Sequence, residues 1–283
     1  MSITVIIPTY NRGHLIKRSI ESVLNQTNPP SEILVVDDHS TDNTYEIIES
    51  IQDNRVKYIK NYRRKGANGA RNSGILKTKT KYVAFQDSDD IWHPQKLEKQ
   101  IKIISKSIGY DMCFSSFNLI QKDGVKLFPE YKIISEEILS KLRTGNFIST
   151  QTIILKTKIA KELLFDESLL RLQDWDFVLR IAKTYRIFHL DEPLVDVEVQ
   201  NDSITKNIHI LEAYEDIFKK HPYLSTVTHY NRYLYFRITG KNEWSNRNYI
   251  ASIINYGKAF FNRIKHSKRE FNIGRFYNKP SQS

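Results

Sequence analysis

The stretch that decides the fold is residues 85–92, FQDSDDIW, which follows the apolar run Tyr82–Phe85. A short apolar run that ends in polar residues is typical of a buried strand. Three acids, Asp87, Asp89 and Asp90, fall within four positions after it. Carboxylates this close repel one another unless a cation or a set of hydrogen-bond donors compensates their charge. The stretch therefore indicates either a site for a divalent cation and a diphosphate, or a solvated turn, where Asp and Ser are also common.

The same sequence of strand and polar loop occurs twice upstream. The apolar run at residues 3–7 leads into Thr9-Tyr10-Asn11, and the run at residues 32–36 leads into Asp37-Asp38. Segments with helical periodicity separate these runs, which predicts βαβ units in a mostly parallel, Rossmann-like sheet flanked by helices. In such a sheet the ligand lies beyond the carboxyl ends of the strands. We therefore expect the three polar loops to converge on one edge of the sheet.

The second half alternates less regularly. Strand-like runs occupy residues 111–116, 151–155 and 186–190, and helical periodicity covers residues 159–164, a segment ending near Tyr185, and residues 206–220. The one cysteine, Cys113, lies in an apolar run and is expected to be a buried, inert thiol. Because no signal peptide and no apolar run of about 18 residues is found, we expect a cytoplasmic location.

The charge of the chain is uneven. The net charge is +11, and residues 241–283 contain nine basic and two acidic residues, so they hold +7 of it. Such an excess favours an anionic partner: nucleic acid, a phosphorylated substrate or a membrane surface. Apolar residues in this tail recur at helical spacing, which predicts a basic amphipathic helix. That helix would lie on an anionic membrane surface, on the catalytic domain or against the second subunit of a homodimer.

Five stretches in this order resemble the family 2 glycosyltransferases, which have the GT-A fold. They are IIPTYNR (6–12), VVDDHSTDNT (35–44), GANGARNSGI (66–75), FQDSDDIWHPQKLE (85–98) and LQDWDFVLR (172–180). The resemblance covers roughly residues 1–205, which it implies to be the catalytic domain, and leaves residues 206–283 as a basic helical C-terminal region. It implies inverting transfer of one sugar from a UDP-sugar, with Mn²⁺ or Mg²⁺, to a glycan or lipid-linked glycan acceptor in cell-surface polysaccharide biosynthesis.

The resemblance also implies a set of donor-binding residues. The family's uracil-binding acid matches Asp38, and its DxD motif falls on Asp87-Ser88-Asp89, which makes Asp89 the metal ligand and places Asp87 near the ribose or the donor sugar. Asp90 is expected to cap the next helix. The nucleotide-sugar contacts are then expected from Thr9, Tyr10, Asp37, Asp38, Arg71, Asp87 and Ser88. From the residues alone, Asp37 and Asp38 could instead cap a helix, and Arg71 could be a surface arginine.

In the fifth stretch, Asp174 matches the position of the family's catalytic base. Asp176 is the rival acid, and helix capping is the structural alternative for both. Trp175 is expected to contact a sugar ring or to be part of the core. Two positions depart from the family: Gln173 stands where many relatives have Glu, and Gln200 stands where relatives often have a metal-binding His.

Two other classes of protein compete with this interpretation. A nucleotidyltransferase acting on a sugar phosphate also uses paired carboxylates and Mg²⁺, but it typically has a basic glycine-rich loop near its N-terminus, which is not seen here. A basic nucleic-acid-binding protein would fit the charge. No nucleic-acid-binding motif is present, however, and the acidic loops would repel phosphates, so we expect no nucleic-acid partner. For a lipid-linked acceptor, the enzyme is expected to be peripheral at the inner face of the plasma membrane.

Overall fold

A computed structural model of the protein describes residues 2–106, 109–198 and 210–269. Gln200, whose replacement of a histidine was singled out above, lies outside these residues. Within the described ranges, no helix combines the length and the apolar character that crossing a bilayer requires.

The first part of the chain forms parallel βαβ units, as predicted. Its strands pair in the order β3-β2-β1-β4, all parallel. The three strands predicted above, at residues 3–7, 32–36 and 82–85, are present within two residues of their predicted limits. The elements are β1 (Ile3–Thr9), α1 (Gly13–Leu24), β2 (Glu32–Asp37), α2 (Thr44–Glu49), β3 (Val56–Lys60), α3 (Ala67–Lys77) and β4 (Tyr82–Phe85).

Beyond β4 the sheet becomes mixed. Its order continues from β4 through β8, β6 and β9 to β5, and β7 pairs with β6. The pairs of β8 with β4 and with β6 are antiparallel, whereas β6 and β9 are parallel. The parallel arrangement predicted for most of the sheet therefore holds for its first four strands. These elements are β5 (Ile91–Trp92), α4 (Lys96–Ile104), β6 (Met112–Gln121), β7 (Gly124–Phe128), α5 (Ile138–Leu142), β8 (Ile153–Lys156), α6 (Thr157–Leu163), α7 (Gln173–Ala182) and β9 (Ile187–Glu198).

The central strands are buried on both faces, which explains their nearly continuous apolar sequences. Every residue of β1 and β4 is buried. Phe85, the last residue of β4, packs against Phe165 and Phe177 at ring-centroid distances of 5.3 and 6.3 Å. Each such buried aromatic ring contributes about 1.5–3 kcal/mol through removal of apolar surface from water. This packing fixes the strand that precedes the acidic loop against the helix α7.

Four helices follow the sheet: α8 (Ile210–Lys220), α9 (Leu224–Val227), α10 (His229–Ser245) and α11 (Tyr249–Arg269). Tyr214, Ile217 and Phe218 of α8 belong to the same buried hydrophobic cluster as Trp175 and Phe177 of α7. The described helices α8, α9 and α10 therefore contribute residues to the same hydrophobic core as α7, and the domain boundary at residue 205 stays a prediction.

The core also contains a lysine that has no carboxylate partner among the described residues. Lys96 is fully buried; its Nζ donates to Gln100 Oε1 at 2.8 Å and lies 3.9 Å from the ring centroid of Trp92. Burial lowers the pKa of Lys96 to about 7. Burial also raises the pKa of the neighbouring Cys113 thiol to about 12, in agreement with the predicted inert cysteine.

Replacing this buried cation tests the packing of α4. At pH 7 we expect Lys96→Met to raise the free energy of unfolding by about 1–3 kcal/mol. The substitution removes the cost of burying a cation, which is about 1.4 kcal/mol for each unit by which burial lowers the pKa. Part of this gain is lost because Gln100 Oε1 loses its hydrogen-bond donor. Between pH 7 and 10.5 the unfolded wild type binds more protons than the folded form, so wild-type stability rises with pH, and the variant lacks that rise. Urea unfolding at pH 7 and 9.5 measures both.

Lys102→Met is the matched control, since Lys102 lies on the exposed face of the same helix. We expect it to change stability by no more than about 0.5 kcal/mol. A Lys96→Met protein that is less stable than wild type at both pH values would show that the cation contributes net stability.

Candidate active site

The predicted polar loops meet at one cavity of ≈ 440 Å³. They meet because β1 lies between β2 and β4 in parallel register, with Thr9 opposite Asp37 and Ile6 opposite Phe85, so the loops after all three strands leave the same edge. The first turns of α3 form another wall. The predicted site residues that line the cavity are Thr9, Tyr10, Asp38, Arg71, Asp87, Ser88 and Asp89.

The two adjacent acids after β2 differ in their roles. Asp37 does not line the cavity: its carboxylate accepts hydrogen bonds from Ser40 and from the Tyr58 hydroxyl, the latter at 2.7 Å. Asp38 does line it, and accepts from Asn61 Nδ2 at 2.7 Å and from the Gly66 N–H at 2.8 Å. Neither carboxylate caps α2. Asp37 therefore shapes the loop, and Asp38 presents a fixed carboxylate to the cavity.

The glycine-rich segment brings its backbone close to the cavity wall. Gly66, with φ of 127°, adopts a conformation that other residues rarely adopt. A Cβ on Gly69 would lie 1.8 Å from the carbonyl oxygen of Arg64, so no side chain fits there. These two positions allow α3 to begin directly beneath the cavity and to place Arg71 in its second turn.

Arg71 is almost completely buried, which excludes the alternative of a surface arginine. Its Nη2 donates to Asp87 Oδ1 at 2.7 Å. Its Nε and Nη1 have no hydrogen-bond partner among the described residues, although the side chain lines the cavity. Unpaired guanidinium nitrogens are costly to bury. They are the donors that an incoming phosphate oxygen would satisfy.

The carboxyl groups of Asp87, Asp89 and Asp90, in the loop after β4, repel one another when ionised. Burial, together with the charge of Asp87, raises the pKa of Asp89 to about 6. Asp90 is buried beneath the loop, and its pKa is raised by burial and by its two acidic neighbours. The prediction that Asp90 caps the next helix is wrong: it hydrogen-bonds the Glu198 backbone and the Gln151 side chain, and Gln95 is the residue that precedes α4.

Asp174 lies in the first turn of α7, which begins after Leu172 in a left-handed conformation. Burial raises the pKa of Asp174 to about 6, although the Trp175 N–H and Asn146 hydrogen-bond to it. The charges of Arg71 and Asp87 also act on Asp174, which places it beside the cavity residues. Asp174 itself borders a small adjoining pocket with Phe117, Asn146 and Ser149.

Asp176, the rival acid, is part of a buried ionic network. Its carboxylate lies 2.9 Å from His221 Nε2, from Lys220 Nζ and from Arg180 Nη2. Burial acts to raise the pKa of Asp176, but the His221 hydrogen bond and the Arg180 charge outweigh it and hold that pKa below its usual value. Asp176 therefore ties α7 to the end of α8 and has no surface to offer a substrate.

The predicted sugar contact of Trp175 is wrong. The indole is 1% exposed, its Nε1 donates to the Leu142 carbonyl at 2.7 Å, and its ring packs edge-on against Tyr214. An indole so enclosed is a core residue, which was the alternative. The sequence could not distinguish the two roles, because a tryptophan in an amphipathic helix beside a site can lie on the core face or on the face toward the site.

Several cavity residues carried no predicted role in the sequence analysis, and four of them, Arg12, Lys65, Glu167 and Gln173, are charged or have an amide side chain. Arg12 and Lys65 add positive charge, and the Lys65 Nζ lies 4.8 Å from the ring centroid of Tyr10. Glu167 pairs with Arg63 at the opposite wall. The fourth, Gln173, precedes Asp174. Arg12 and Gln173 lie within the motif stretches quoted above, so those stretches contained a signal for them; Lys65 and Glu167 are brought in by loops.

Known proteins resemble this chain in sequence and in fold. The family model described as "Glycosyl transferase family 2" matches residues 4–164, more than half of the chain. The chain belongs to glycosyl transferase family 2. Among its relatives, an uncharacterized glycosyltransferase of Methanocaldococcus jannaschii is 31% identical and aligns with 92% of this chain and 85% of its own length.

Two further relatives of this glycosyltransferase have more specific descriptions. The UDP-Glc:alpha-D-GlcNAc-diphosphoundecaprenol beta-1,3-glucosyltransferase WfgD of Escherichia coli is 37% identical over 50% of this chain and 57% of WfgD. The structure of S. aureus TarS 1-349 in complex with UDP-GlcNAc superposes with a TM-score of 0.66 at 21% identity, covering 92% of this chain and 79% of that one. This likeness confirms the GT-A fold. The family membership identifies the matched residues as part of a glycosyltransferase and not of a nucleotidyltransferase.

Among the residues in view, no group of three or more His, Cys, Asp or Glu side chains could hold a metal ion by itself. The acidic loop does fit a shared site. Asp89 lies at the cavity with a carboxylate that Asp87 repels, and a hard divalent ion commonly takes one or two carboxylates and completes its shell with substrate phosphates and water.

Proposed function

We propose that this glycosyltransferase transfers one sugar from a UDP-sugar, with inversion at the anomeric carbon, to a glycan or lipid-linked glycan acceptor in cell-surface polysaccharide biosynthesis. The observation that carries the proposal is the cavity beyond the carboxyl ends of β1, β2 and β4. It combines the fixed carboxylate of Asp38 with the buried guanidinium of Arg71, two nitrogens of which have no hydrogen-bond partner in the described ranges. It also contains two carboxylates that repel each other, those of Asp87 and Asp89.

The two ends of the cavity suit the two ends of UDP. Uracil offers an N–H at position 3, which Asp38 can accept, since a carboxylate has more acceptor sites than Asn61 and Gly66 occupy. Thr9 is the last residue of β1, and Tyr10 follows it. Both line the cavity near Asp38, where the Tyr10 ring and the Thr9 hydroxyl can contact the base and ribose. Arg71, with its free donors, would hold the diphosphate.

A divalent cation, Mn²⁺ or Mg²⁺, would be held by Asp89 with diphosphate oxygens and water. When bound, it supplies Lewis-acid stabilisation of the charge on the departing nucleoside diphosphate. Asp87 forms an ion pair with Arg71, so we assign it to orienting the arginine beside the ribose or donor sugar.

Asp174 would act as the general base. As the acceptor oxygen forms its bond to the anomeric carbon, the bond from that carbon to the diphosphate oxygen breaks, UDP departs as the anion and the acceptor proton moves to Asp174. A pKa of about 6 suits this role, because the carboxylate is ionised at neutral pH and more basic than an exposed aspartate.

The acceptor class is suggested by WfgD, whose name specifies a sugar linked to diphosphoundecaprenol. A lipid-linked acceptor of this type would place the enzyme at the inner face of the plasma membrane, reached from the cytoplasm. The proposal therefore joins a donor site open to the cytoplasm with an acceptor delivered at a bilayer surface.

Asp174→Asn tests the base. Because Asn preserves shape and removes basicity, we expect turnover to fall by about 10²-fold or more while donor affinity stays nearly unchanged. In the wild type, kcat should fall with a slope of one proton below a pKa of about 6, since protonation removes the base. UDP release during transfer, followed from pH 5 to 8 with saturating donor and metal, measures both effects.

The matched control is Asp176→Asn, two residues away on the same helix. It removes the carboxylate that pairs with Arg180 and contacts His221, while Lys220 keeps its second partner, Asp166, so we expect a loss of about 3–5 kcal/mol of stability. Thermal unfolding of both variants separates the roles, because Asp174→Asn should keep wild-type stability. If Asp176→Asn is folded but inactive while Asp174→Asn turns over normally, Asp174 is not the base.

Asp89→Asn tests the metal site. We expect the wild type to bind UDP at least about tenfold more tightly with Mn²⁺ than with a chelator, and the variant to lose that difference, because one carboxylate ligand is gone. Titration calorimetry with UDP in the presence of Mn²⁺ or chelator measures it, with the exposed-acid variant Glu136→Gln as the control. An undiminished Mn²⁺ effect in Asp89→Asn would remove Asp89 from the site.

A further inference from the structure

Helix α11 packs against α10 by one face only. On that face Ser252 and Ala259 are buried, and Ser252 Oγ donates to the Gly240 carbonyl at 2.7 Å. Farther along, Asn262 hydrogen-bonds His229 at the start of α10. The two helices thus form a hairpin whose inner face is closed by small and polar residues. The opposite face of α11 has no covering element in the part of the chain that the structure describes.

That opposite face is apolar. Its large residues recur at steps of three and four on either side of Gly257, and their exposed fractions run from 40% to 77%. Single exposed apolar residues are ordinary on a protein surface, but a continuous row of large ones marks an interaction site. We call this row the α11 stripe; its members are Ile250, Ile253, Ile254, Phe260, Phe261 and Ile264.

The charge of α11 is of one sign. Its 21 residues include Lys258, Arg263, Lys265, Lys268 and Arg269, and no Asp or Glu. Lys258 and Lys265 follow the stripe residues Ile254 and Phe261 by four positions, so both lie along the edge of the stripe. Long basic side chains at that border can reach phosphate groups while the apolar row enters a hydrocarbon layer.

Exposed aromatic rings stand at the turn between the two helices. Trp244 is 56% and Tyr249 is 49% exposed, with ring centroids 4.9 Å apart. Tryptophan and tyrosine are favoured at the boundary between water and lipid, where an apolar body and a polar tip are both accommodated. The pair therefore extends the apolar face at one end of the α11 stripe.

From these three features we infer that the α11 stripe is a docking surface for anionic phospholipid bilayers, on which α11 lies parallel to the membrane plane. A second copy of this chain fits less well. Pairing of two stripes would bring together two helices that each hold five cations and no anion, whereas an anionic surface complements them.

The docking surface is joined to the catalytic helix through packed aromatic rings. Tyr230 of α10 contacts Tyr214 of α8 at a centroid distance of 6.4 Å, and Tyr214 contacts Trp175 of α7 at 6.0 Å. Trp175 directly follows Asp174. A bilayer held by α11 would thus be held at a fixed distance from the proposed base. This consequence rests on the proposed function, but the docking itself does not.

Vesicle flotation of the full chain tests the docking surface without donor or acceptor. We compare vesicles of neutral phosphatidylcholine with vesicles that also contain about 30 mol% of anionic phosphatidylglycerol, at low and high salt. The test variant is Ile253→Ser with Phe261→Ser. The matched control is Val125→Ser with Ile134→Ser, which removes two apolar side chains of similar exposure outside α11. Circular dichroism and size-exclusion light scattering check the fold and the oligomeric state.

We expect the wild type and the control variant to bind anionic vesicles at low salt and to bind neutral vesicles at least about tenfold more weakly. We expect the stripe variant to bind anionic vesicles at least about tenfold more weakly than the wild type does. Absence of wild-type binding to anionic vesicles would overturn the inference, as would equal binding of the stripe variant. A wild-type dimer that the stripe substitutions dissociate would assign the stripe to a subunit interface. Because no sugar transfer is measured, these outcomes are independent of the proposed activity.

Discussion

The ion pair between Arg71 and Asp87 is the constraint on which the site depends. A guanidinium that is almost fully buried makes one close contact, at 2.7 Å, and leaves Nε and Nη1 without protein partners in the described ranges. Such a group is stable only because it stands among carboxylates, with Asp174 as well as Asp87 within reach of its charge. The glycine-rich start of α3 exists to place it there, since neither Gly66 nor Gly69 can carry a side chain without strain or collision.

The acids around this cation divide into two groups according to their surroundings. Asp37 and Asp176 have their oxygens engaged by protein donors and hold elements together: a loop in the first case and two helices in the second. Asp89 is half-buried and Asp174 is buried, both without full compensation of their charge, and the pKa of each is raised to about 6. Carboxyl groups with such pKa values are candidates for proton transfer or for neutralisation by a bound cation. Sequence neighbours thus have opposite roles because their partners differ.

The first half of the fold and most of the polar residues that line the cavity could be predicted because local patterns decide them. Short apolar runs followed by Thr9, Asp38 and Asp87 fix both the strands and the edge where their loops meet. The second half depends on pairings between distant segments. Strand β9 runs to Glu198, well past the predicted end near Leu190, because polar residues such as Asp196 remain in the sheet through pairing with Asn118. The burial of Trp175 and Asp90 is likewise decided by tertiary packing and is not encoded in their neighbours.

We propose that the cavity binds uridine diphosphate, with Asp38 accepting from the base and Arg71 donating to the phosphates. Titration calorimetry of the wild-type chain with UDP, CDP and UMP, all with Mn²⁺, tests it most directly. CDP should bind at least about tenfold more weakly than UDP, because cytosine lacks the N3–H that would donate to Asp38 and presents an acceptor nitrogen to the carboxylate instead. UMP should also bind more weakly, because it lacks the second phosphate that Arg71 would hold. Equal affinities for UDP and CDP, or no binding of UDP, would contradict the assignment.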